Sequence, residues 1–274
     1  MRPTLYAALK GLSLPVSLPP AEAAGVVARL RAAGCVFAED EADLLFAAAD
    51  TPAVLDAMVQ RRVDGLPLEQ VVGWAEFCGL RIAVEPGVFV PRPRTEFLVR
   101  EAVALTAPGA VVVDLCCGTG AVGAALLSRV PGIELYATDI DARAVRCAAR
   151  NLAASSARVS AGDLFESLPN ALRGRVDVLL CNAPYVPSDA IAFLPAEARD
   201  HEPLVALDGG SDGLDVHRRV AAAAPDWLAP RGSLLIETTD PQAAVMAAVF
   251  AAHGLSARTL RSEEFSATVV IADR

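Results

Sequence analysis

Between Ala21 and Arg62 apolar residues recur every three or four positions, in AEAAGVVARLRAAG, EDEADLLFAAA and PAVLDAMVQRRVDG. That period predicts three short helices, each with one buried face. Pro19-Pro20, Gly34, Thr51-Pro52 and Gly65 mark their starts and stops. Over FCGLRIAVEPGVFV, Phe77 to Val90, the period shortens to alternation and Pro86-Gly87 supplies a turn, which predicts a hairpin or an extended linker. Short apolar runs that end in a polar residue follow, AVVVDL, IELYATDI, VDVLLCN and GSLLIET, separated by AVGAALLSRV, DARAVRCAARNLAA and GLDVHRRVAAAAPDWL, which carry helical spacing. Strands alternating with helices predict an α/β fold with a mostly parallel sheet covered on both faces. The expected division is a small N-terminal helical domain over residues 1–78, a hairpin linker over 79–96 and a larger domain over 97–274.

A chain of 274 residues is long enough for two such units with buried cores. The hydrophobic fraction is 54%, much of it alanine, yet no apolar run reaches the about 18 residues a membrane helix needs. MRPTLYAALKGLSLPVSLPP has no long apolar stretch before a small-residue cleavage site, so no leader peptide and a cytosolic setting are expected. The six cysteines, Cys35, Cys78, Cys116, Cys117, Cys147 and Cys181, form no C-x-x-C pair, and His201, His217 and His253 share no ligand spacing. Neither disulfides nor a metal site are expected. A formal charge of −9 opposes phosphate-driven attraction to nucleic acid.

In such sheets ligands bind at the carboxyl ends of the strands. AVVVDL runs into Cys116-Cys117-Gly118-Thr119-Gly120 and then a helix, a junction where backbone can approach a ligand closely. Asp139 ends the next strand, where a carboxylate can accept hydrogen bonds from ribose hydroxyls. The loop lacks G-x-G-x-x-G spacing, and Asp114 just before it would repel a pyrophosphate but can hold an ammonium group. Both features favour S-adenosylmethionine over NAD as cofactor. Gly162-Asp163-Leu164-Phe165 ends another expected strand; Asp163 is read either as a partner of the adenine amino group or as a helix N-cap, with Leu164 against a ring face. Cys116 and Cys117 lack a His or Lys placed to activate them and read as small packing residues.

After the fourth strand of the sheet comes Asn182-Ala183-Pro184-Tyr185. The Asn182 side-chain oxygen and the Ala183 carbonyl can each accept one N–H of a planar NH2 group, with Tyr185 packed on its face. Asn182, Pro184 and Tyr185 are the expected catalytic set. The tetrapeptide resembles the N-P-P-Y motif of methyltransferases that act on nitrogen attached to a planar group, among them the release factor glutamine methyltransferases and the adenine-N6 DNA methyltransferases.

The whole chain resembles the release factor glutamine methyltransferase family, and more narrowly an actinobacterial-type relative with an undefined protein substrate. Three further segments carry that resemblance: Leu68 to Phe77 (LEQVVGWAEF), Phe89 to Glu96 (FVPRPRTE) and His201 to Gly210 (HEPLVALDGG). It implies a class I S-adenosylmethionine-dependent methyltransferase of Rossmann-like fold acting on a protein glutamine, with the helical domain helping to hold the protein substrate. It also implies that Asp114, Cys116, Cys117, Gly118, Thr119, Gly120, Asp139, Asp163, Leu164 and Asn182 hold the cofactor. Four positions depart from the family pattern. Cys116 stands where D-L-G-x-G-T-G has its first glycine, which is tolerable if the backbone keeps φ negative there. Leu164 replaces a common Trp, Ala183 the first proline of N-P-P-Y, and Gln70 a common Tyr. Competing readings are a nucleic-acid amino-group methyltransferase, which the acidic charge opposes, a small-molecule N-methyltransferase, and a cofactor-binding regulator without catalysis, which the retained Asn182 and Tyr185 oppose.

Overall fold

The computed structural model describes residues 19–274. The expectation of no leader peptide rests mainly on residues 1–18, which lie outside the described residues. The first helices are α1 (Pro20–Ala32), α2 (Ala38–Ala48), α3 (Pro52–Val63) and the short α4 (Leu68–Val72). Thr51 caps α3 by accepting the Val54 N–H at 3.3 Å, with Pro52 at the first helical position, where its missing N–H costs nothing. These helices bury Leu30, Leu45, Leu55, Val59, Leu68 and Trp74 in a core of their own.

The hairpin lies earlier than the Pro86-Gly87 turn suggests. Strands β1 (Trp74–Phe77) and β2 (Leu80–Ala83) pair antiparallel. The turn between them is Cys78-Gly79, at φ 55° and 80°, the left-handed pair that matches strand twist in a two-residue connection. Alternation alone fixed the strand period but not which of two glycine-bearing turns joins the strands.

The seven-stranded sheet has the order β5-β4-β3-β6-β7-β9-β8. Its members are β3 (Val111–Leu115), β4 (Glu134–Asp139), β5 (Arg158–Ala161), β6 (Val176–Cys181), β7 (Leu228–Thr238), β8 (Ser256–Ser262) and β9 (Ala267–Asp273). β3 to β7 run parallel, and β9 is antiparallel to both neighbours. Helices α5 (Glu96–Leu105), α6 (Ala121–Arg129), α7 (Ala142–Asn151), the short α8 (Ala196–His201), α9 (Asp215–Trp227) and α10 (Asp240–Ala252) complete the chain. Two apolar cores, one on each face of the sheet, close around Val113, Leu179, Ile236 and Phe250 on one side and Val112, Leu180, Leu235 and Phe97 on the other.

Strand β7 begins four residues before the GSLLIET run, because a register shift opposite Val176 to Val178 absorbs Pro230 and Arg231, the latter at φ 71°. The order of strands reverses at β3, whose neighbours are β4 and β6. This is the switch point beside which open α/β sheets bind ligands.

Candidate active site

A cavity of about 370 Å³ opens at that switch point, within the range of cofactor pockets. Asp114, Cys116, Cys117, Gly118, Thr119, Asp139, Asn182, Ala183, Pro184 and Tyr185 all line it. The sheet accounts for this convergence: Asp114 and Asp139 lie at the ends of adjacent strands, and the pairing of Leu115 with Cys181 sets Asn182 beside the loop that follows β3.

The loop after β3 is tied from three sides. Cys117 N–H donates to the Thr138 carbonyl at 3.0 Å, Gly120 N–H to the Cys117 carbonyl at 2.7 Å, and Gly118 N–H to Asp139 Oδ2 at 2.9 Å. Asn151 of α7 donates to the Thr119 carbonyl at 2.8 Å and to the Ala83 carbonyl of β2 at 2.9 Å. Gly120 initiates α6 at φ 74°, and a Cβ there would meet Ala148 at 3.1 Å. The condition set for a cysteine at position 116, a negative φ, is not met: it adopts φ 55°, the left-handed region. The loop keeps the conformation that a glycine takes freely, and the cysteine bears a strain of about 1 kcal/mol or more.

Asp114 is 2% exposed and accepts the Gly123 N–H at 3.2 Å. Burial, with help from nearby Asp139, pushes its carboxyl up to about 7. Burial raises Asp139 too, against the stabilising N–H donors of Asp141 and Gly118. Asp139 Oδ1 takes the Asp141 N–H at 2.9 Å, and each oxygen keeps a second lone pair. Arg92, Arg94 and Glu197 on the cavity wall are paired with Glu202, Glu237 and Arg62. Among the described residues, Asp114 and Asp139 have no basic partner within 4.0 Å. A site with one buried and one half-buried carboxylate, neither paired with a base, suits a cation.

The loop after β6 is equally fixed. The Tyr185 carbonyl accepts Gln242 Nε2 at 3.0 Å, and its hydroxyl donates to Glu237 Oε1 at 3.4 Å. Burial, then Glu237, raises the phenol well above its usual range. Gly213 lies so close behind that a Cβ would fall 2.2 Å from the Tyr185 carbonyl oxygen. Asn182 Nδ2 donates to Thr95 Oγ1 at 3.2 Å. Among the described residues the Asn182 side-chain oxygen and the Ala183 carbonyl accept no hydrogen bond, so both acceptors are free at the cavity.

Three expected residues do not line the cavity: Gly120, which starts α6 behind the loop, Asp163 and Leu164. Asp163 neither lines the cavity nor caps a helix: its carboxylate pairs with Arg219 of α9 at 2.7 Å. Leu164 is 8% exposed and packs in the core beneath the sheet, with its carbonyl taking the Thr138 hydroxyl at 3.0 Å. The Cys116 thiol is raised by its contact with Cys181 and by burial, the Cys117 thiol by burial; both stay protonated and pack. His217 is fully buried with Nε2 3.2 Å from the Glu237 carbonyl, and burial pushes it down to about 4. Gln70, at the departure from Tyr, donates to the Val88 carbonyl at 3.2 Å and braces a wall residue. Thr95 and Glu197 escaped residue-by-residue reading, although Thr95 falls in the FVPRPRTE segment; Glu197 sits in a polar stretch with no pattern to mark it.

Residues 79–196 match the family model described as the methyltransferase small domain. A methyltransferase from Pyrococcus furiosus shares the fold, with a TM-score of 0.56 at 19% identity over 80% of this chain and 96% of that one. The release factor glutamine methyltransferase of Geobacter sulfurreducens is 37% identical over 204 residues, 74% of this chain and 71% of the relative. This chain belongs to the release factor glutamine methyltransferase family. The fold is accordingly that of class I methyltransferases, and membership implies S-adenosylmethionine as methyl donor. Another relative, the 4-amino-L-phenylalanine/4-methylamino-L-phenylalanine methyltransferase of Streptomyces pristinaespiralis, is 37% identical over 244 residues, 85% of this chain and 82% of that protein. Among the described residues no helix is long and apolar enough to cross a membrane.

Proposed function

We propose that the chain transfers a methyl group from S-adenosylmethionine to the side-chain amide nitrogen of a glutamine in a protein, a peptide chain release factor being the substrate its relatives' names suggest. The single observation that carries this reading is the pair of free acceptors, Asn182 Oδ1 and the Ala183 carbonyl, at the cavity beside the glycine loop. An amide NH2 has two N–H groups in one plane and a lone pair delocalised into its carbonyl. Two fixed acceptors orient it, and both strengthen their bonds as positive charge develops on nitrogen. Tyr185 and Pro184 pack the edge of that pocket. S-Adenosylmethionine supplies the electrophilic methyl when bound. Asp114 would face its ammonium group and Asp139 its ribose hydroxyls, with Cys116, Cys117, Gly118, Thr119 and Gly120 forming the close-approaching backbone.

A second reading has a specific observation behind it. The relative that acts on 4-amino-L-phenylalanine aligns over 85% of this chain, and an aromatic amine also presents a planar NH2. Incubation with tritiated-methyl S-adenosylmethionine and either a purified release factor or 4-amino-L-phenylalanine, with mass spectrometric location of the label, separates the two. Label on a glutamine side chain supports the first reading; label only on the aromatic amine replaces it.

A further inference from the structure

The loop after β6 continues into a stretch from Asp189 to His201 that holds most of a 3-10 helix over Ser188–Phe193 and the short α8. Leu194, Pro195, Glu197 and Ala198 of this stretch form part of the cavity wall. None of its residues is buried, and Phe193 is 88% exposed, so apolar packing fastens it weakly. Its two ends are tied. Ser188 Oγ donates to Asp208 Oδ1 at 2.7 Å and Ser188 N–H to the Gly210 carbonyl at 2.9 Å. Glu202 Oε1 takes the Val90 N–H at 3.1 Å, and its Oε2 pairs with Arg92 at 2.5 Å. Between those ends, among the described residues, a single side-chain bond leaves the stretch: Arg62 Nη2 of α3 donates to Glu197 Oε1 at 2.7 Å, across 135 positions. Arg62 is 6% exposed. Its Nε and Nη2 also bind Glu41 at 2.6 and 3.2 Å, and its Nη1 the Leu66 carbonyl at 3.0 Å. The planar fork is therefore fixed within the helical domain and presents one remaining donor direction to Glu197.

We propose that Arg62 and Glu197 are positioning residues: through them the helical domain clasps the stretch from Asp189 to His201 at its middle and keeps the cavity wall that continues from the loop after β6 in place. The inference rests on the reading of that loop as the side that receives the methyl acceptor. A helix as short as α8 does not hold its shape alone in water, so its order reports the clasp. With the bond removed, the wall is formed in only a fraction of molecules. The acceptor binds that fraction, and its apparent KM rises in inverse proportion. Once the acceptor is bound the wall is formed again, so the transfer step keeps its rate. Asp114 and Asp139 belong to β3 and β4, away from the clasp in the sheet, so cofactor affinity holds.

The test breaks the bond from both ends. Glu197→Ala leaves Arg62 its contacts with Glu41 and Leu66, so the helical domain stays folded. Arg62→Lys keeps the charge beside Glu41, but a compact ammonium lacks the fork that serves three acceptors at once. Asp200→Ala is the control, because it removes a charge of α8 that pairs only with its neighbour Arg199. Hydrogen exchange in the ligand-free protein is read at the amides of Ala198, Arg199 and Glu202, which donate to the Pro195 and Ala198 carbonyls. They should exchange about tenfold or more faster in both clasp variants, the scale of one charge-assisted bond, and at the wild-type rate in Asp200→Ala. Should Arg62→Lys also quicken exchange throughout α1 to α3, Glu197→Ala alone decides. Wild-type exchange in Glu197→Ala, equal quickening in Asp200→Ala, or unprotected amides in the wild type would overturn the clasp even if neither substrate is methylated. With whichever of the release factor and 4-amino-L-phenylalanine the wild type methylates, Glu197→Ala should raise the acceptor KM about threefold or more, and hold kcat and the Kd for S-adenosylmethionine within about twofold. An unchanged KM, a fall in kcat instead, or an equal loss of cofactor affinity would overturn the clasp's role on the acceptor side.

Discussion

The buried Asp114 should make cofactor affinity depend on pH. Its carboxyl titrates near 7 in the ligand-free protein because burial disfavours the charge, so at pH 6 about nine-tenths of the molecules hold it protonated. A ligand carrying a sulfonium and an ammonium group binds the ionised form, and below the pKa must displace that proton. The apparent Kd for S-adenosylmethionine should therefore weaken about tenfold from pH 8 to pH 6, roughly 1.4 kcal/mol. Calorimetry in buffers of different ionisation enthalpy should detect about half a proton released per site at pH 7. Asp114→Asn should bind more weakly at pH 8 and without the slope. The stability of the free protein runs the other way. The folded pKa lies above the unfolded value of 3.8, so the folded state binds the extra proton between about pH 4 and 7, and stability falls as pH rises through that window. At pH 8, Asp114→Asn should melt higher, by at most about 4 kcal/mol of relieved desolvation. A Kd flat from pH 6 to 8, or an equal slope in the Asn variant, would refute the assignment of Asp114 to the cation.

Asp139→Ala should weaken S-adenosylmethionine binding at least tenfold, since charge-assisted bonds contribute about 1.5 to 3 kcal/mol each; unchanged affinity by calorimetry would remove Asp139 from the site. Gly213→Ala places a Cβ 2.2 Å from the Tyr185 carbonyl at φ 77° and should cost about 2 kcal/mol or more by displacing the loop after β6. Turnover should fall further than cofactor affinity, and wild-type stability with wild-type turnover would show that the loop yields freely.

Much of this site can be read in the chain because parallel strands deliver their polar endings to one edge. Asp114, Asp139 and Asn182 each close a short apolar run, and once the sheet order is β4-β3-β6 at its centre, those endings must meet. What the runs do not encode is where a side chain finds its partner across the sequence. Asp163 closes a strand in the same manner, yet Arg219, 56 positions away, draws its carboxylate off the cavity. Thr95 looks like an ordinary residue ahead of a helix until β6 brings Asn182 to it across 87 positions. Cys116 shows a different limit: local sterics argue for negative φ, but hydrogen bonds at Cys117, Gly118 and Gly120 hold the loop and outweigh about 1 kcal/mol of strain. The C-terminal pair β8 and β9 carries the alternation of an edge strand beside a buried one, with Ser256, Arg258 and Arg261 exposed. A βα period scan beyond residue 240 misses it, because this last connection is antiparallel.

The central claim is that Asn182 orients a planar nitrogen for methyl transfer, and the single-turnover rate of Asn182→Ala tests it most directly. With cofactor and labelled substrate saturating, the variant should transfer methyl about 10²-fold or more slowly than wild type, the effect of deleting one preorganised contact to developing charge, while S-adenosylmethionine affinity changes far less. Transfer at the wild-type rate would reduce Asn182 to a turn residue and contradict the account.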